Sequence, residues 1–378
     1  MIEERGTKLD IEAEDEPTKE SKVFYNNEMV LNRDISVSAL KVYSEDQKVD
    51  LKVLDALAGT GIRGIRYFRE VPDIEKVTIN DSKPDAFENI KKNLELNSLK
   101  TKVEVTSRDA NLLMSERRKG FHYIDLDPFG SPARFIDSAA RSLKHDSFIG
   151  ITATDLAALC GTYRKTCRRK YGSWVQNLPY HHEVGIRVLI KSVFDALAVH
   201  NKVFDPKLCY AERHYYRIMG EVRETKKGVN RSLKNIGFLS FCSGCGYRKF
   251  SGEKERVMRE CPNCEQDTRK IGPLWTGKIG RKNFIEKVRK SLKEKKLNEA
   301  VELTKMLEKE MDIKKPFYDT HNIGKITGQP AVSRDKLIKK IEDKGYNAER
   351  THFSPTGIKT SAPIEDILSI SKEMNRKK

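Results

Sequence analysis

The segment YIDLDPFGSP, residues 123–132, ends an apolar stretch with acid, proline and an aromatic residue. An amine conjugated with an aromatic ring is a poor nucleophile, because its lone pair is delocalised into the ring. A carboxylate and a peptide carbonyl that accept its two hydrogens localise that lone pair, and Asp127 and Pro128 could be these acceptors. Phe129 offers a stacking face for a nucleobase removed from its helix. We therefore predict a catalytic triplet, Asp127, Pro128 and Phe129, with Asp125 as a possible assistant; a plain strand end with a proline turn is the alternative.

A glycine-rich turn, DALAGTGIRG, connects a predicted strand to a predicted helix. Gly59, Gly61 and Gly64 have the G-x-G-x-x-G spacing of nucleotide-binding turns, in which glycine lets the backbone approach a ligand closely. NAD, FAD and S-adenosylmethionine sites can all present this spacing, and a tight turn without a ligand is a further alternative. We predict that Asp55, Gly59 and Gly61 bind a cofactor.

Two more strand ends carry candidate cofactor-binding residues. Asp81 follows the next strand, where an acidic residue can accept hydrogen bonds from both ribose hydroxyls. Asp109 and Ala110 follow the third strand, where they could meet an adenine ring. Ligands of open α/β sheets bind at the carboxyl ends of the strands, so these residues together predict an adenosine-containing cofactor. DLDPFG resembles the Asp-Pro-Pro-Tyr class of motif in methyltransferases that modify exocyclic amino groups, and hydride transfer has no need of it, so this resemblance favours S-adenosylmethionine.

The elements that must position these residues alternate between strand and helix from about residue 23 to residue 155. This alternation requires right-handed crossovers and predicts a doubly wound α/β domain with a parallel sheet. A long helix and a possible strand hairpin follow it. We predict a flexible N-terminus over residues 1–22, a Rossmann-like catalytic domain over 23–238, and a smaller α+β domain over 239–378.

Four of the seven cysteines have the spacing of a zinc site, C-x2-C-x15-C-x2-C. We predict that Cys242, Cys245, Cys261 and Cys264 bind one Zn2+ as four thiolates, which leaves no open position and makes the metal structural. Unpaired free thiols are the alternative. Redox chemistry is disfavoured, because neither Cys-x-x-Cys lies beside a strand-to-helix turn of thioredoxin type.

The combination of LNRDISV, LDALAGTGIRGIRY, DLDPFGSP, the four cysteines and THFSPTGIKTSAP resembles the tRNA (guanine-26) N2-dimethyltransferase family, in particular its shorter archaeal-type members. The resemblance covers most of the chain. It implies a class I S-adenosylmethionine methyltransferase domain, followed by the zinc-containing domain, which would bind tRNA. The implied reaction transfers one or two methyl groups to the N2 amine of guanine 26.

The resemblance also implies roles for single residues. Arg33 of LNRDISV would reach the carboxylate end of the cofactor, and Arg63 of the glycine turn would assist it. The ribose would lie at Asp81, and the catalytic triplet would surround the guanine. One departure is visible, because Asn26-Asn27 stands where the family pattern has Asn-Pro, and this puts the local turn in doubt.

Charge and composition agree with a polyanionic partner. The 378 residues carry a formal net charge of +17, although a solvated, ion-pair-rich surface would give the same balance. GTYRKTCRRKYGSW, residues 161–174, mixes five basic residues with three aromatic ones and no acidic one, which suits phosphate contact and base stacking. No apolar run is long enough to span a membrane. We expect a soluble, cytoplasmic monomer that binds tRNA and no membrane.

Two other functions remain open at this point. A different RNA or DNA exocyclic-amine methyltransferase would share the glycine turn and DPF but not the zinc segment and LNRDISV together. A non-enzymatic RNA-binding scaffold on a methyltransferase fold would lack an intact cofactor site. A dehydrogenase is disfavoured, because the sequence offers no residues suited to hydride chemistry.

Overall fold

The computed structural model describes residues 1–11, 25–99, 101–252, 254–255 and 258–376. The strands in this part of the chain are β1 (Ile2–Glu4), β2 (Thr7–Leu9), β3 (Leu51–Asp55), β4 (Ile74–Asn80), β5 (Glu104–Thr106), β6 (Phe121–Leu126), β7 (Leu143–Ala153), β8 (Lys202–Glu212), β9 (Tyr215–Glu224), β10 (Ile236–Cys242), β11 (Arg248–Gly252), β12 (Thr268–Trp275), β13 (Tyr318–Asp319), β14 (Ala348–Arg350) and β15 (Gly357–Thr360). The helices are α1 (Val30–Gln47), α2 (Ile62–Glu70), α3 (Pro84–Leu96), α4 (Ala110–Glu116), α5 (Ile136–Ser142), α6 (Leu156–Leu159), α7 (Arg164–Tyr171), α8 (His181–Val199), α9 (Lys226–Ser232), α10 (Lys282–Glu294), α11 (Asn298–Glu310), α12 (Thr320–Thr327), α13 (Arg334–Asp343) and α14 (Ile364–Arg376).

A seven-stranded sheet forms the centre of the molecule, with the strand order β5-β4-β3-β6-β7-β9-β8. Strands β3 to β7 pair in parallel. β9 runs antiparallel to β7 and forms a hairpin with β8. The predicted parallel sheet and closing hairpin are therefore confirmed, and the carboxyl ends of the parallel strands lie at one edge.

Local sequence explains how the helices cover this sheet. Helix α3, for example, begins at Pro84, whose fixed φ suits the first helical turn. It buries Ala86, Ile90 and Leu94, which recur at helical spacing on one face. The same alternation of a buried strand and an amphipathic helix brings successive strand ends to a common edge.

The first residues of the chain form an ordered hairpin, so the prediction of a flexible N-terminus is wrong for residues 1–11. β1 and β2 pair antiparallel through a two-residue turn, Arg5-Gly6, in which both residues have positive φ. Leu9 packs against Ile62 of α2. The rest of the predicted flexible segment, residues 12–22, lies outside the described residues.

The hydrophobic core continues from the large sheet into the second half of the chain. One cluster of buried side chains includes Leu239 of β10, Ile271 of β12 and Phe284 of α10 together with the sheet residues. A second cluster lies between β13–β15 and α12–α14 and includes Ile358. The predicted boundary after residue 238 therefore crosses a continuous core, and the division into domains stays a prediction.

Candidate active site

The glycine turn between β3 and α2 has the backbone conformation that its sequence requires. Gly59 and Gly61 have φ of 55° and 77°, in the region that favours glycine. A side chain at Gly64 would put its Cβ 2.6 Å from Ile79 of β4, so glycine also permits the close approach of α2 to the sheet. The amide N–H of Gly59 donates to the Asp81 carboxylate over 2.9 Å.

Asp55 ends β3 completely buried, and its carboxylate accepts a hydrogen bond of 2.9 Å from the amide of Gly64. Burial and the neighbouring charge of Asp125 raise the pKa of Asp55 to about 7, although Arg63 and the Gly64 amide act in the opposite direction. In this structure Asp55 therefore holds the start of α2 against the sheet, and its predicted contact with a cofactor stays a prediction.

The other predicted cofactor residues lie at the neighbouring strand ends. Asp81 follows β4 and also accepts a hydrogen bond of 3.0 Å from the amide of Lys83. Asp109 is exposed and caps α4 by accepting from the amides of its second and third residues, while Ala110 is buried. Two glycines in left-handed conformations and two carboxylates at adjacent strand ends fit an adenosine group such as that of S-adenosylmethionine.

Asn80 is a residue of this edge that the sequence interpretation missed. Its Nδ2 donates to the carbonyls of Ala56 and Arg108 over 3.0 Å each, and its Oδ1 accepts from the Thr106 hydroxyl over 2.8 Å. One buried amide thus joins the ends of three neighbouring strands. Its position directly before Asp81, at the end of the strand, could have indicated a polar residue of the site.

The predicted catalytic triplet follows β6 at the same edge. The Asp127 side chain is 21% exposed, Pro128 is buried and Phe129 is 54% exposed. Gly130 and Thr154, which follows β7, exchange two hydrogen bonds of 2.8 and 3.0 Å and fix the loop. The structure therefore presents a carboxylate, a constrained peptide carbonyl and an exposed ring in sequence.

Arg63 connects the glycine turn to this triplet. It donates to Oδ2 of Asp127, and its Nη1 donates to Oδ1 of Asn32 over 2.9 Å. Burial alone would lower the pKa of Arg63, but Asp125 and Asp127 raise it well above its ordinary value. Among the described residues, Oδ1 of Asp127 accepts no hydrogen bond, so one carboxylate oxygen is held and the other stays available.

Asp125, in contrast to Asp127, has no carboxylate oxygen that is free of hydrogen bonds. It is completely buried, and its carboxylate accepts hydrogen bonds from Tyr67 (2.5 Å), Tyr123 (2.6 Å) and Arg217 (2.6 and 3.0 Å). Burial would raise the pKa of Asp125, but the charges of Arg217 and Arg63 and the hydrogen bonds from Arg217 and Tyr123 lower it. Both oxygens of the Asp125 carboxylate are thus occupied by structural hydrogen bonds, so the structure does not support a direct part of Asp125 in catalysis. The sequence alone did not reveal these partners.

Arg33 of α1 lies against the N-terminal hairpin. Its guanidinium donates to the Glu4 carboxylate over 2.5 to 3.0 Å and to the carbonyl of Asn26 over 3.2 Å. The turn that the Asn26-Asn27 departure put in doubt is formed, since Oδ1 of Asn26 accepts from the amide of Glu28 over 2.8 Å. The predicted contact of Arg33 with a cofactor carboxylate stays a prediction.

The four predicted metal ligands come together at the end of β10. Their sulfur atoms all lie within 4.8 Å of one another, with Cys242 and Cys264 3.4 Å apart and Cys245 and Cys261 3.5 Å apart. Backbone hydrogen bonds from Gly246 to Cys242 and from Glu265 to Cys261 form a tight turn in each Cys-x-x-Cys. Four converging thiols in two such turns fit a tetrahedral Zn2+.

Cys160 lies beside His181 and His182, a juxtaposition that the sequence did not indicate. The Tyr216 hydroxyl is 3.0 Å from both the Cys160 sulfur and Nδ1 of His182. Burial lowers the pKa of His182 to about 4, so the imidazole is neutral at pH 7. Cys160, His182 and Tyr216 thus form a hydrogen-bonded cluster, and the His181 ring lies 4.2 Å from that of His182 between centroids.

Two features define the class I methyltransferase fold: a single antiparallel strand, β9, in the next-to-last position of the sheet, and a glycine turn after β3. The comparisons with known proteins refine this class. The family described as "N2,N2-dimethylguanosine tRNA methyltransferase" matches residues 7–372, and the chain belongs to that family.

Known proteins are similar in sequence or structure to this chain over nearly its whole length. A tRNA (guanine(26)-N(2))-dimethyltransferase of Methanobrevibacter smithii is 39% identical over 99% of this chain and 97% of its own length. The protein of the same name from Pyrococcus abyssi is 38% identical over 93% of each chain. The solved complex of Trm1 from Pyrococcus horikoshii with S-adenosyl-L-methionine superposes with a TM-score of 0.87, at 35% identity over 98% of both chains. Among the described residues, no helix is long and apolar enough to cross a membrane.

Proposed function

We propose that this protein is a tRNA (guanine-26-N2)-dimethyltransferase, which transfers one or two methyl groups from S-adenosylmethionine to the N2 amine of guanine 26. The observation that carries the proposal is the loop after β6, in which Asp127 keeps one carboxylate oxygen available beside the carbonyl of Pro128 and the exposed ring of Phe129. Membership of the family supports the same reaction.

The cofactor is proposed to bind over the ends of β3, β4 and β5. Gly59 and Gly61 would admit it close to the backbone, Asp81 would accept hydrogen bonds from its ribose, and Asp109 with Ala110 would flank its adenine. When bound, S-adenosylmethionine supplies a methyl group that is activated by a positively charged sulfur. Arg33 and Arg63 are proposed to bind the carboxylate of the cofactor. Arg33 would then donate to both Glu4 and the cofactor, and Arg63 to both Asp127 and the cofactor.

The catalytic triplet is proposed to prepare the amine. Oδ1 of Asp127 and the carbonyl oxygen of Pro128 would accept the two N2 hydrogens, which turns the nitrogen lone pair out of conjugation with the ring. Phe129 would stack on the extruded base. Proximity and alignment then provide much of the rate acceleration, and Asp127 is placed to receive the proton that N2 loses.

Helix α7 and its flanks are proposed to contact the tRNA backbone. Arg164, Lys165, Arg168 and Arg169 are exposed on the helix, and Tyr163 at its start is 62% exposed. The helix is tied to the catalytic loop, because the Tyr171 hydroxyl donates to Asp155 over 2.6 Å and lies 2.7 Å from the Ser131 hydroxyl. Basic and aromatic side chains in this place suit phosphate contact and base stacking near the target nucleotide.

The proposal also includes the role of the metal, the oligomeric state and the cellular location. Zn2+ at the four cysteines would be structural, because four thiolates leave no position for a substrate. The protein would act as a monomer in the cytoplasm, where reduced thiols are the ordinary state.

The testing experiment is mass spectrometry of nucleosides from unmodified tRNA transcripts that have been incubated with the protein and S-adenosylmethionine. Each transcript is compared with its guanine-26-to-adenine variant. We expect N2-methylated and N2,N2-dimethylated guanosine in the first and neither in the second. Methylation at another position, or S-adenosylmethionine binding without methylation, would reject the proposal.

A further inference from the structure

Three polar groups on the Asp127 side of the sheet are completely buried, and within the described part of the chain no group apart from these three accepts a hydrogen bond from them. They are the hydroxyls of Tyr210 and Tyr215 and the amide nitrogen of Asn32. A buried polar group without a partner costs on the order of 1–3 kcal/mol, so a fold retains few of them. The roles proposed above for the catalytic triplet and the glycine turn use none of these groups.

Tyr215 lies on the sheet face of the catalytic carboxylate. It comes two residues before Arg217 on β9, and Arg217 reaches over β7 to bind Asp125. β9 runs antiparallel to β6. Tyr215, two residues before Arg217, is therefore displaced from Arg217 in the same direction as Asp127 is displaced from Asp125. Burial raises the pKa of Tyr215 well above its ordinary value, and the neighbouring Tyr210 and, less strongly, the charges of Glu212 and Asp127 add to the effect.

Tyr210 stands beside Tyr215 on the neighbouring strand. It pairs directly with Arg217 across β8 and β9, so its side chain points to the same face. The two tyrosine rings are 6.0 Å apart between centroids, in an edge-to-face arrangement. Their hydroxyls interact with each other, at the end of the sheet where the catalytic loop lies, so the pair keeps one hydroxyl proton for which the described residues offer no acceptor.

Asn32 approaches the same place from α1. Its Oδ1 accepts hydrogen bonds from Nη1 of Arg63 (2.9 Å) and from the Ser36 hydroxyl (3.3 Å). These two donors fix the orientation of the amide, which leaves Nδ2 as a donor. Since Arg63 also donates to Asp127, the amide of Asn32 is linked to the catalytic carboxylate through one side chain.

We infer that Tyr210, Tyr215 and Asn32 recognise the ring acceptors of the target base, chiefly the O6 carbonyl of guanine. This inference rests on the proposed function. Asp127 and Pro128 engage only the amine of the base, a group that 2-aminopurine also carries. The acceptors of guanine, O6, N3 and N7, are complementary to hydroxyl and amide donors, and a buried donor left without its acceptor strongly disfavours the wrong base.

The experiment compares guanine with 2-aminopurine at position 26 of a tRNA assembled by ligation of two RNA fragments. 2-Aminopurine keeps the exocyclic amine and lacks O6. We expect the wild-type kcat/KM to be at least about 100-fold higher for guanine. Tyr215→Phe should lower kcat/KM for guanine by about 10-fold or more and for 2-aminopurine by much less, so that the ratio between the two substrates falls. Tyr210→Phe should act in the same direction.

Tyr180→Phe is the matched control, because the Tyr180 hydroxyl is equally buried and without a partner, but its ring packs against Phe241 and Phe317. It should leave the substrate ratio unchanged. Thermal unfolding and S-adenosylmethionine binding establish that each variant is folded. An equal loss on both substrates in Tyr215→Phe, or no preference for guanine in the wild type, would overturn this inference alone. Failure of the wild type to methylate guanine 26 would overturn the proposed function as well.

Discussion

Arg217 of β9 and Asp125 of β6 form a completely buried ion pair across the intervening strand, with N–O distances of 2.6 and 3.0 Å. The guanidinium passes over Gly150 of β7, where a Cβ would lie 2.4 Å from Nη2. The closing hairpin is thereby fastened to the strand that ends in Asp127. The site thus depends on a pairing between residues that are far apart in the chain.

Arg217→Met should destabilise the protein strongly, because it leaves the Asp125 carboxylate buried without its cation. Breaking one side of such a pair costs on the order of 3–5 kcal/mol. Arg223→Met is the matched control on the same strand, since Arg223 is 54% exposed and pairs with Glu221 at the surface; its cost should stay below about 1 kcal/mol. Urea unfolding measures both variants, and similar losses would show that burial of the pair is not what matters.

Asp127→Ala should abolish methyl transfer while S-adenosylmethionine still binds. The variant removes an acceptor for the amine and leaves the glycine turn, Asp81 and Asp109 in place. Asp127→Asn keeps the shape and a hydrogen-bond acceptor for Arg63, but it removes the negative charge and should also be inactive.

Nucleoside mass spectrometry measures methyl transfer by the Asp127 variants, and calorimetric titration measures their binding of S-adenosylmethionine. Asp137→Asn, at an exposed residue of α5, is the control and should keep full activity. Joint loss of binding and transfer in a folded Asp127 variant would contradict the assigned role.

The sheet and much of the site could be predicted because their signals are local. Alternating strand and helix patterns determine a parallel sheet, and a parallel sheet brings successive strand ends to one edge. That rule predicts Asp81, Asp109 and Asp127 at one edge of the sheet, where the structure has them, while their roles stay predictions. The spacing of the four cysteines predicts their convergence, because it reflects the tight turns that four thiolates need, and the structure confirms that convergence.

The rest depends on contacts between distant residues, which no local pattern contains. The strand face that Asp125 shares with Asp127 predicts a catalytic assistant, and only the fold brings Arg217 to it. The polar start of the chain predicts a flexible segment, although Arg5-Gly6 between two short alternating stretches also indicates a hairpin, which the structure shows. Its charged residue Glu4 is buried because α1 and α2 supply cations to it.

Glu4 should make the stability of the protein depend on acid pH. Burial raises its pKa, but Arg33 and Arg66 outweigh burial and hold the pKa at about 2, against 4.5 for an ordinary glutamate. A lowered pKa means that the contribution is complete above about pH 4.5 and is lost as the pH falls toward 2. The shift corresponds to about 3 kcal/mol.

Glu4→Gln should therefore be less stable than the wild type at pH 7 and should lose less stability between pH 5 and pH 2. Urea unfolding at a series of pH values measures the difference. Glu3→Gln, at the exposed neighbour on the same strand, is the control and should follow the wild-type curve. A Glu4→Gln curve parallel to that of the wild type would mean that the ion pair with Arg33 and Arg66 contributes nothing.

Zinc should be bound at about one ion per chain when the protein is produced with the metal available. Cys261→Ser should remove it, because a neutral hydroxyl is a poor substitute for a thiolate ligand, and should lower the melting temperature, because β10 and β12 share their core with the large sheet. Metal analysis by mass spectrometry and thermal unfolding are the measurements. Cys167→Ala, at a buried cysteine outside the cluster, is the control and should keep the metal. Retention of one zinc per chain in Cys261→Ser would show that the metal is bound elsewhere, for which the cluster of Cys160, His181 and His182 is the next place to test.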